Sequence, residues 1–112
     1  MTFDDFGVSG HANHRATYEG VVAWAALNRT HSIALWTLHS QPLVRKYSGA
    51  LVRCVLPQWP PAPPGSVVVI PPWADVGCPL EAMRRHASQL VWFRYLFVWL
   101  SSYTYENVWA PL

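Results

Sequence analysis

The run Val8-Ser9-Gly10-His11-Ala12-Asn13-His14 puts two imidazoles three positions apart, directly after a loop that carries Asp4, Asp5 and Gly7. Near a helix start, residues three apart are neighbours, so His11 and His14 can face one small volume. Gly10 permits a tight backbone at that point and Gly7 relaxes the loop before it. Imidazole is a common zinc ligand, and a hydrolytic zinc site takes three protein ligands and keeps a position for water. A second histidine beside the metal, not bound to it, can face a developing oxyanion. The pair supplies at most two of the three ligands. Asp4, Asp5, His31, His39 and His86 are the further candidates, and spacing selects none of them. The plain alternative is two loop histidines with no ligand.

The elements that would position this pair can be read from periodicity. Met1 to Asp4 reads as the tail of a short strand, and Asp5 to Gly10 as a loop. Asn13 to Leu27 suits a helix, because Tyr18, Val21, Val22, Ala25 and Ala26 recur at helical spacing, with Asn13 as the expected N-cap. Ser32 to Leu38 and Ala50 to Leu56 read as strands, and Gln41 to Tyr47 as a short helix entered at Pro42. The stretch from Pro57 to Pro79 opens with a proline-rich run that neither a helix interior nor a central strand tolerates, so it reads as a stiff loop whose PxxP spacing could also serve a proline-recognising domain. Ser66 to Ile70 is the best strand pattern, and Pro79 to about Tyr103 reads as one long helix. Strands alternating with helices predict an α/β arrangement over residues 1–112 as one domain or part of one.

Bulk composition excludes several classes. Apolar residues make up 52% of the 112 and charged residues 12%, which disfavours disorder throughout. A net charge of +2, with basic residues scattered, does not fit a nucleic-acid partner. Cys54 and Cys78 are isolated and lack CxxC spacing, so reduced thiols are expected. The first ten residues have neither the basic head nor the apolar core of a signal peptide. Asn28-Arg29-Thr30 fits a glycosylation triplet of the kind that chance supplies often.

The C-terminal third is rich in aromatics. Leu90 to Leu100 is apolar except for Arg94, which is too short for the roughly 20 apolar residues of a spanning helix. Two readings stand. The segment lies at a membrane surface with Trp92, Tyr95, Trp99 and Tyr103 at headgroup depth, or it packs in a core.

Three blocks carry a family resemblance. Thr2-Phe3-Asp4-Asp5-Phe6-Gly7-Val8-Ser9-Gly10-His11-Ala12-Asn13-His14 resembles the second conserved block of the LmbE-like, or PIG-L, deacetylases, T-[FY]-D-x-x-G-x-x-G-H-x-[ND]-H. Leu43, Arg45, Lys46 and Tyr47 match a later segment, L-x-x-x-N-x-x-R-K-Y. Ala82 to Leu96 matches A-M-x-x-H-x-S-Q-x-x-W-F-R-x-L. The form G-V-S-G-H-x-N-H is similar to the eukaryotic branch, which acts on N-acetylglucosaminylphosphatidylinositol.

The resemblance implies a Rossmann-like fold of which this chain is the C-terminal portion, with parallel strands, flanking helices and a long aromatic C-terminal helix. It implies zinc as cofactor, His14 as a metal ligand and His11 as the catalytic histidine. Asp4, Gly10, Asn13, Arg15 and His86 would support the site, with the side-chain amide of Asn13 orienting its neighbour and His86 favoured as structural. The substrate would be a glycolipid, N-acetyl cleavage would release acetate in GPI-anchor biosynthesis, and the place would be the cytoplasmic face of the endoplasmic reticulum membrane. The family's first block, H-P-D-D-E, supplies the other two zinc ligands and the general base, and this sequence contains no such run. The expectation is therefore a truncated deacetylase, inactive alone. The rival is a non-catalytic interaction protein that presents the aromatic helix and the PxxP loop.

Overall fold

A computed structural model describes residues 1–28, 33–54 and 61–112. The chain divides into two compact units, Met1–Gln41 with Ala62–Val67 and Val108–Leu112, and Pro42–Pro61 with Val68–Asn107. His31, residues 55–60 and the last two residues of the glycosylation triplet lie outside the described residues.

In the first unit, strand β1 (Thr2–Phe3) is followed by a helical turn α1 (Gly7–Gly10) and helix α2 (Ala12–Leu27). Strand β2 (Trp36–Leu38) then pairs parallel to β1, with Thr2 opposite Thr37 and Phe3 opposite Leu38. The half-buried positions of α2 include His14, Tyr18, Val21 and Ala25, one face at helical spacing. Tyr18, Val21 and Ala25 of the expected stripe lie on this face, headed by His14, whereas Val22 and Ala26 are exposed. The helix starts one residue earlier than expected, and its cap is His11, whose ring Nδ1 accepts the Asn13 backbone N–H, so Asn13 is not the N-cap.

Two further strands complete a sheet of order β1-β2-β4-β3, with β3 at Val67–Val69 and β4 at Asn107–Pro111. The sheet is mixed, not parallel. β4 runs antiparallel to β2, placing Leu38 opposite Trp109 and Thr37 opposite Ala110. Its pattern is too short to read from sequence, and Pro111, which has no N–H to offer a ladder, sits at its last position. The Ser66–Ile70 pattern does form β3, an edge strand, but its three valines are exposed.

The second unit is helical. It contains α3 (Leu43–Lys46), capped by Pro42, then α4 (Leu51–Cys54), α5 (Cys78–Arg84) and α6 (Trp92–Leu100), with short 3-10 turns at Trp73–Asp75, Ala87–Gln89 and Ser102–Thr104. Residues 51–54, expected in a strand, are helical: the Gly49 N–H is held by the Leu100 carbonyl, and Leu51, Val52 and Arg53 donate to carbonyls three residues back. The one long helix is also broken. His86 (φ −108°, ψ 60°) and Leu90 (φ −87°, ψ 75°) leave the helical region, and α5 and α6 then line one apolar cavity from two sides. No glycine or proline marks these breaks. They come from tertiary packing, which local propensity does not report.

Val52, Val76 and Tyr105 form the buried cluster of this unit, and the Tyr105 hydroxyl donates to the Trp99 carbonyl at 3.0 Å. Beside it the guanidinium of Arg45, 2% exposed, pairs with the Glu106 carboxylate, 6% exposed. Lys46 is buried next to it, and desolvation lowers its pKa below the ordinary lysine value. Removing one partner of a buried pair leaves the other charge without its counter-ion. Glu106→Ala should therefore lower the unfolding free energy by about 3 kcal/mol. The double change Arg45→Met with Glu106→Leu should recover most of that loss in urea titrations.

Candidate functional site

The site in the first unit is built outward from Asp4, the first residue after β1. One carboxylate oxygen accepts the Gly7 N–H at 2.9 Å and the Ser40 hydroxyl at 2.6 Å. The other accepts the Ser40 N–H at 2.5 Å and lies 3.9 Å from the His39 ring. Ser40 follows β2, so this one carboxylate ties together the chain segments that leave two parallel strands at their C-terminal ends, where open α/β sheets place their ligands. The Ser40 hydroxyl also accepts the Val8 N–H at 2.8 Å. Val8 has φ 66°, an uncommon state for a β-branched residue and a local strain that the clamp sustains.

The clamp fixes Gly7, and Gly7 fixes His14. The Gly7 carbonyl lies 3.1 Å from His14 Nδ1. A carbonyl only accepts, so Nδ1 carries the proton and the Nε2 lone pair is left for a ligand. Phe3 stacks on the other side of the ring, 4.0 Å between centroids and 15° between planes. His11 is set the opposite way. Its Nδ1 accepts the Asn13 N–H at 3.3 Å, which leaves the proton on Nε2. The rings are 5.2 Å apart, tilted by 36°. One imidazole presents a lone pair and its neighbour presents an N–H, which suits a metal donor beside a hydrogen-bond donor for a substrate oxygen.

The other expected residues divide. Asp4 is present as the clamp, and hydrogen bonds to both of its oxygens make it a positioning residue for the loop. Gly10 has φ 72° at the entry to α2. Asn13 orients His11 through its backbone N–H, not through its side-chain amide. Arg15 is exposed and its stem passes Gly7. His86 lies in the second unit, exposed in the turn after α5, where it lines that unit's cavity. Among the described residues, no three His, Cys, Asp or Glu side chains gather as a metal site, so His14 fits a metal as one donor of an incomplete set. Sequence reading missed Ser40 and Phe3. Ser40 is distant in sequence and carries no spacing signal, whereas Phe3 sat inside a recognised block.

No protein-family model matches the chain, and no solved structure gives a significant match. A probable N-acetylglucosaminyl-phosphatidylinositol de-N-acetylase of Schizosaccharomyces pombe is 36% identical over 110 residues, 96% of this chain and 44% of that protein. The Bos taurus N-acetylglucosaminyl-phosphatidylinositol de-N-acetylase is 35% identical over 109 residues, 96% of this chain and 41% of its own length. The enzyme of that name from Arthroderma benhamiae is 47% identical over 55 residues, 44% of this chain. The chain is a homologue of these de-N-acetylases. It spans less than half the length of the first two. In this homologue Arg45 and Lys46 of the R-K-Y segment are buried while Tyr47 is exposed, and Ala82, Met83 and His86 of the A-M-x-x-H block line the second unit's cavity.

Two outcomes follow from the geometry. A methyl at Gly7 would stand 2.9 Å from the His14 Cβ and 3.1 Å from the Arg15 backbone nitrogen, whereas one at Gly10 would meet nothing within 4 Å. Both have positive φ, so Gly10→Ala should cost about 1 kcal/mol in urea unfolding and Gly7→Ala about 2 kcal/mol or more. Nitrogen-15 spectra should assign the Nδ1–H tautomer to His14 and the Nε2–H tautomer to His11, and Gly7→Ala should erase the first assignment while sparing the second.

Proposed function

We propose that this chain carries the histidine half of a zinc-dependent de-N-acetylase centre that acts on N-acetylglucosaminylphosphatidylinositol, releasing acetate in GPI-anchor biosynthesis. The opposed tautomers of His11 and His14 carry the reading. The names of the relatives support the substrate.

His14 Nε2 would hold the metal, together with the donors that the H-P-D-D-E block supplies in the family this sequence resembles. A divalent ion held there supplies Lewis acidity toward an amide carbonyl. His11 keeps a proton on Nε2 and offers it as a hydrogen bond to the carbonyl oxygen as negative charge develops there, while its Nδ1 stays tied to the Asn13 N–H. Overall, water adds across the amide, the C–N bond breaks, the acyl group leaves as acetate, and the amine nitrogen takes the remaining hydrogen. Asp4, whose oxygens serve Gly7 and Ser40, is assigned to holding the loop and not to taking the water proton. We place that base, with the other metal donors, on the absent H-P-D-D-E block, so the chain alone is inactive. The exposed aromatic face of α6 supports work at a membrane surface, and we place that surface at the cytoplasmic side of the endoplasmic reticulum because the family resemblance implies it. No described helix is long and apolar enough to cross a membrane.

Alone, the chain should hold zinc weakly and release no acetate. Joined to the part of the Schizosaccharomyces pombe relative that it does not match, it should bind one zinc per molecule by elemental analysis and cleave the glycolipid. His14→Ala should abolish zinc content and turnover together. His11→Ala should keep the metal and lower kcat by roughly 100- to 1,000-fold. Full zinc content in the His14→Ala protein would sink the assignment.

A further inference from the structure

The second unit contains a cavity of about 580 Å³, inside the range of pockets that hold small ligands. Its wall is hydrocarbon, with Met83 from α5 and Phe93, Phe97 and Val98 from α6. Ser101, Tyr103 and Thr104 add hydroxyls to that wall, His86 and the half-buried Arg94 are its basic residues, and no acidic side chain lines it among the described residues. Arg94 is held through one nitrogen by the neutral side chain of Gln89, at 3.4 Å, and no described carboxylate forms an ion pair with it. The guanidinium's charge therefore stands uncompensated beside an apolar hole. Outside it, Trp92 is 75% exposed and Leu96 53% exposed on the same helix. An uncharged apolar ligand would leave the Arg94 charge unanswered, and a small anion would leave the hydrocarbon wall wet. An anionic amphiphile satisfies both.

We infer that this cavity seats one acyl chain of a phosphatidyl lipid, with its phosphodiester on Arg94 and His86. The inference deepens the proposed function by locating the lipid end of the glycolipid, and it rests on that reading for the choice of a phosphodiester. The guanidinium offers paired N–H donors to phosphate oxygens, and the imidazole adds one more.

The test uses the 112-residue chain and short-chain dihexanoylphosphatidylinositol below its micelle concentration, read by calorimetry without metal and without turnover. Failure here leaves the zinc assignment at His14 standing, and failure of zinc binding leaves this isotherm standing. The expected result is saturable binding at one lipid per chain. Arg94→Gln and His86→Gln should each weaken it, the former about tenfold. Arg94→Gln should leave binding of uncharged dihexanoylglycerol unchanged. Ala82→Trp, at an exposed cavity-lining position, should block both ligands. Glycerophosphoinositol, which has no acyl chains, should not compete. Circular dichroism confirms that each variant folds, and the two glutamine variants check one another. Absence of saturable binding would overturn the inference, as would an unchanged isotherm in Arg94→Gln or Ala82→Trp, or effective competition by the bare headgroup. Equal adsorption of all variants to anionic vesicles, without saturable binding of the short-chain lipid, would assign the face to surface attachment and overturn it as well.

Discussion

One carboxylate organises the first unit. Asp4 receives hydrogen bonds from Gly7, from the Ser40 backbone and from the Ser40 hydroxyl, and in doing so fixes both the loop after β1 and the segment after β2. Bonds to an ionised acceptor are roughly twice as strong as neutral ones, so a single side chain can hold a turn that includes a valine at positive φ. The Gly7 carbonyl then fixes the His14 proton, and the stacked Phe3 fixes the ring plane. Without the carboxylate, the histidine that heads the inner stripe of α2 would keep its place on the helix and lose its tautomer.

The paired histidines illustrate why spacing is a weak guide to role. Three-residue spacing says only that two rings can meet. What separates their chemistry is the partner of each Nδ1, a carbonyl oxygen for His14 and an amide hydrogen for His11. Because His11 also caps α2, its orientation is tied to formation of the helix that carries His14. The two groups therefore become competent together, when the first turn of α2 forms.

Much of this was legible in the sequence, and the failures have a common cause. Helix α2, the short β1, the Pro42-led helix and the Ser66–Ile70 strand depend on local periodicity or on proline stereochemistry, and each appeared where expected. The errors involve distant partners. Ala50 to Leu56 looked extended on side-chain type, yet Leu51–Cys54 is a helical turn that follows the bond from the Gly49 N–H to the Leu100 carbonyl. The long C-terminal helix breaks at His86 and Leu90 without a breaking residue. The antiparallel β4 exists because β2 has an edge that needs hydrogen bonds, a requirement invisible within Asn107–Pro111. At the site, the D-x-x-G turn and the two histidines could be read; Ser40, 36 residues from Asp4, could not.

Two deficits meet in the first unit. The donor set for a metal stops at His14 among the described residues, and α2 has no buried residue along its 16 positions. A helix of that length is marginal in water by itself, so its stability depends on apolar cover. Trp24 and Leu27 stand exposed on it, at 42% and 86%. β1, beside it, is the terminal strand of the sheet, and its outer edge has no strand partner among the described residues. On the proposed reading, polypeptide laid against that edge would cover α2 and deliver the missing donors at the same ends of the parallel strands. Metal affinity and helix stability would then be one linked equilibrium: zinc that binds only the covered state stabilises α2 by mass action, and any change that uncovers α2 weakens zinc.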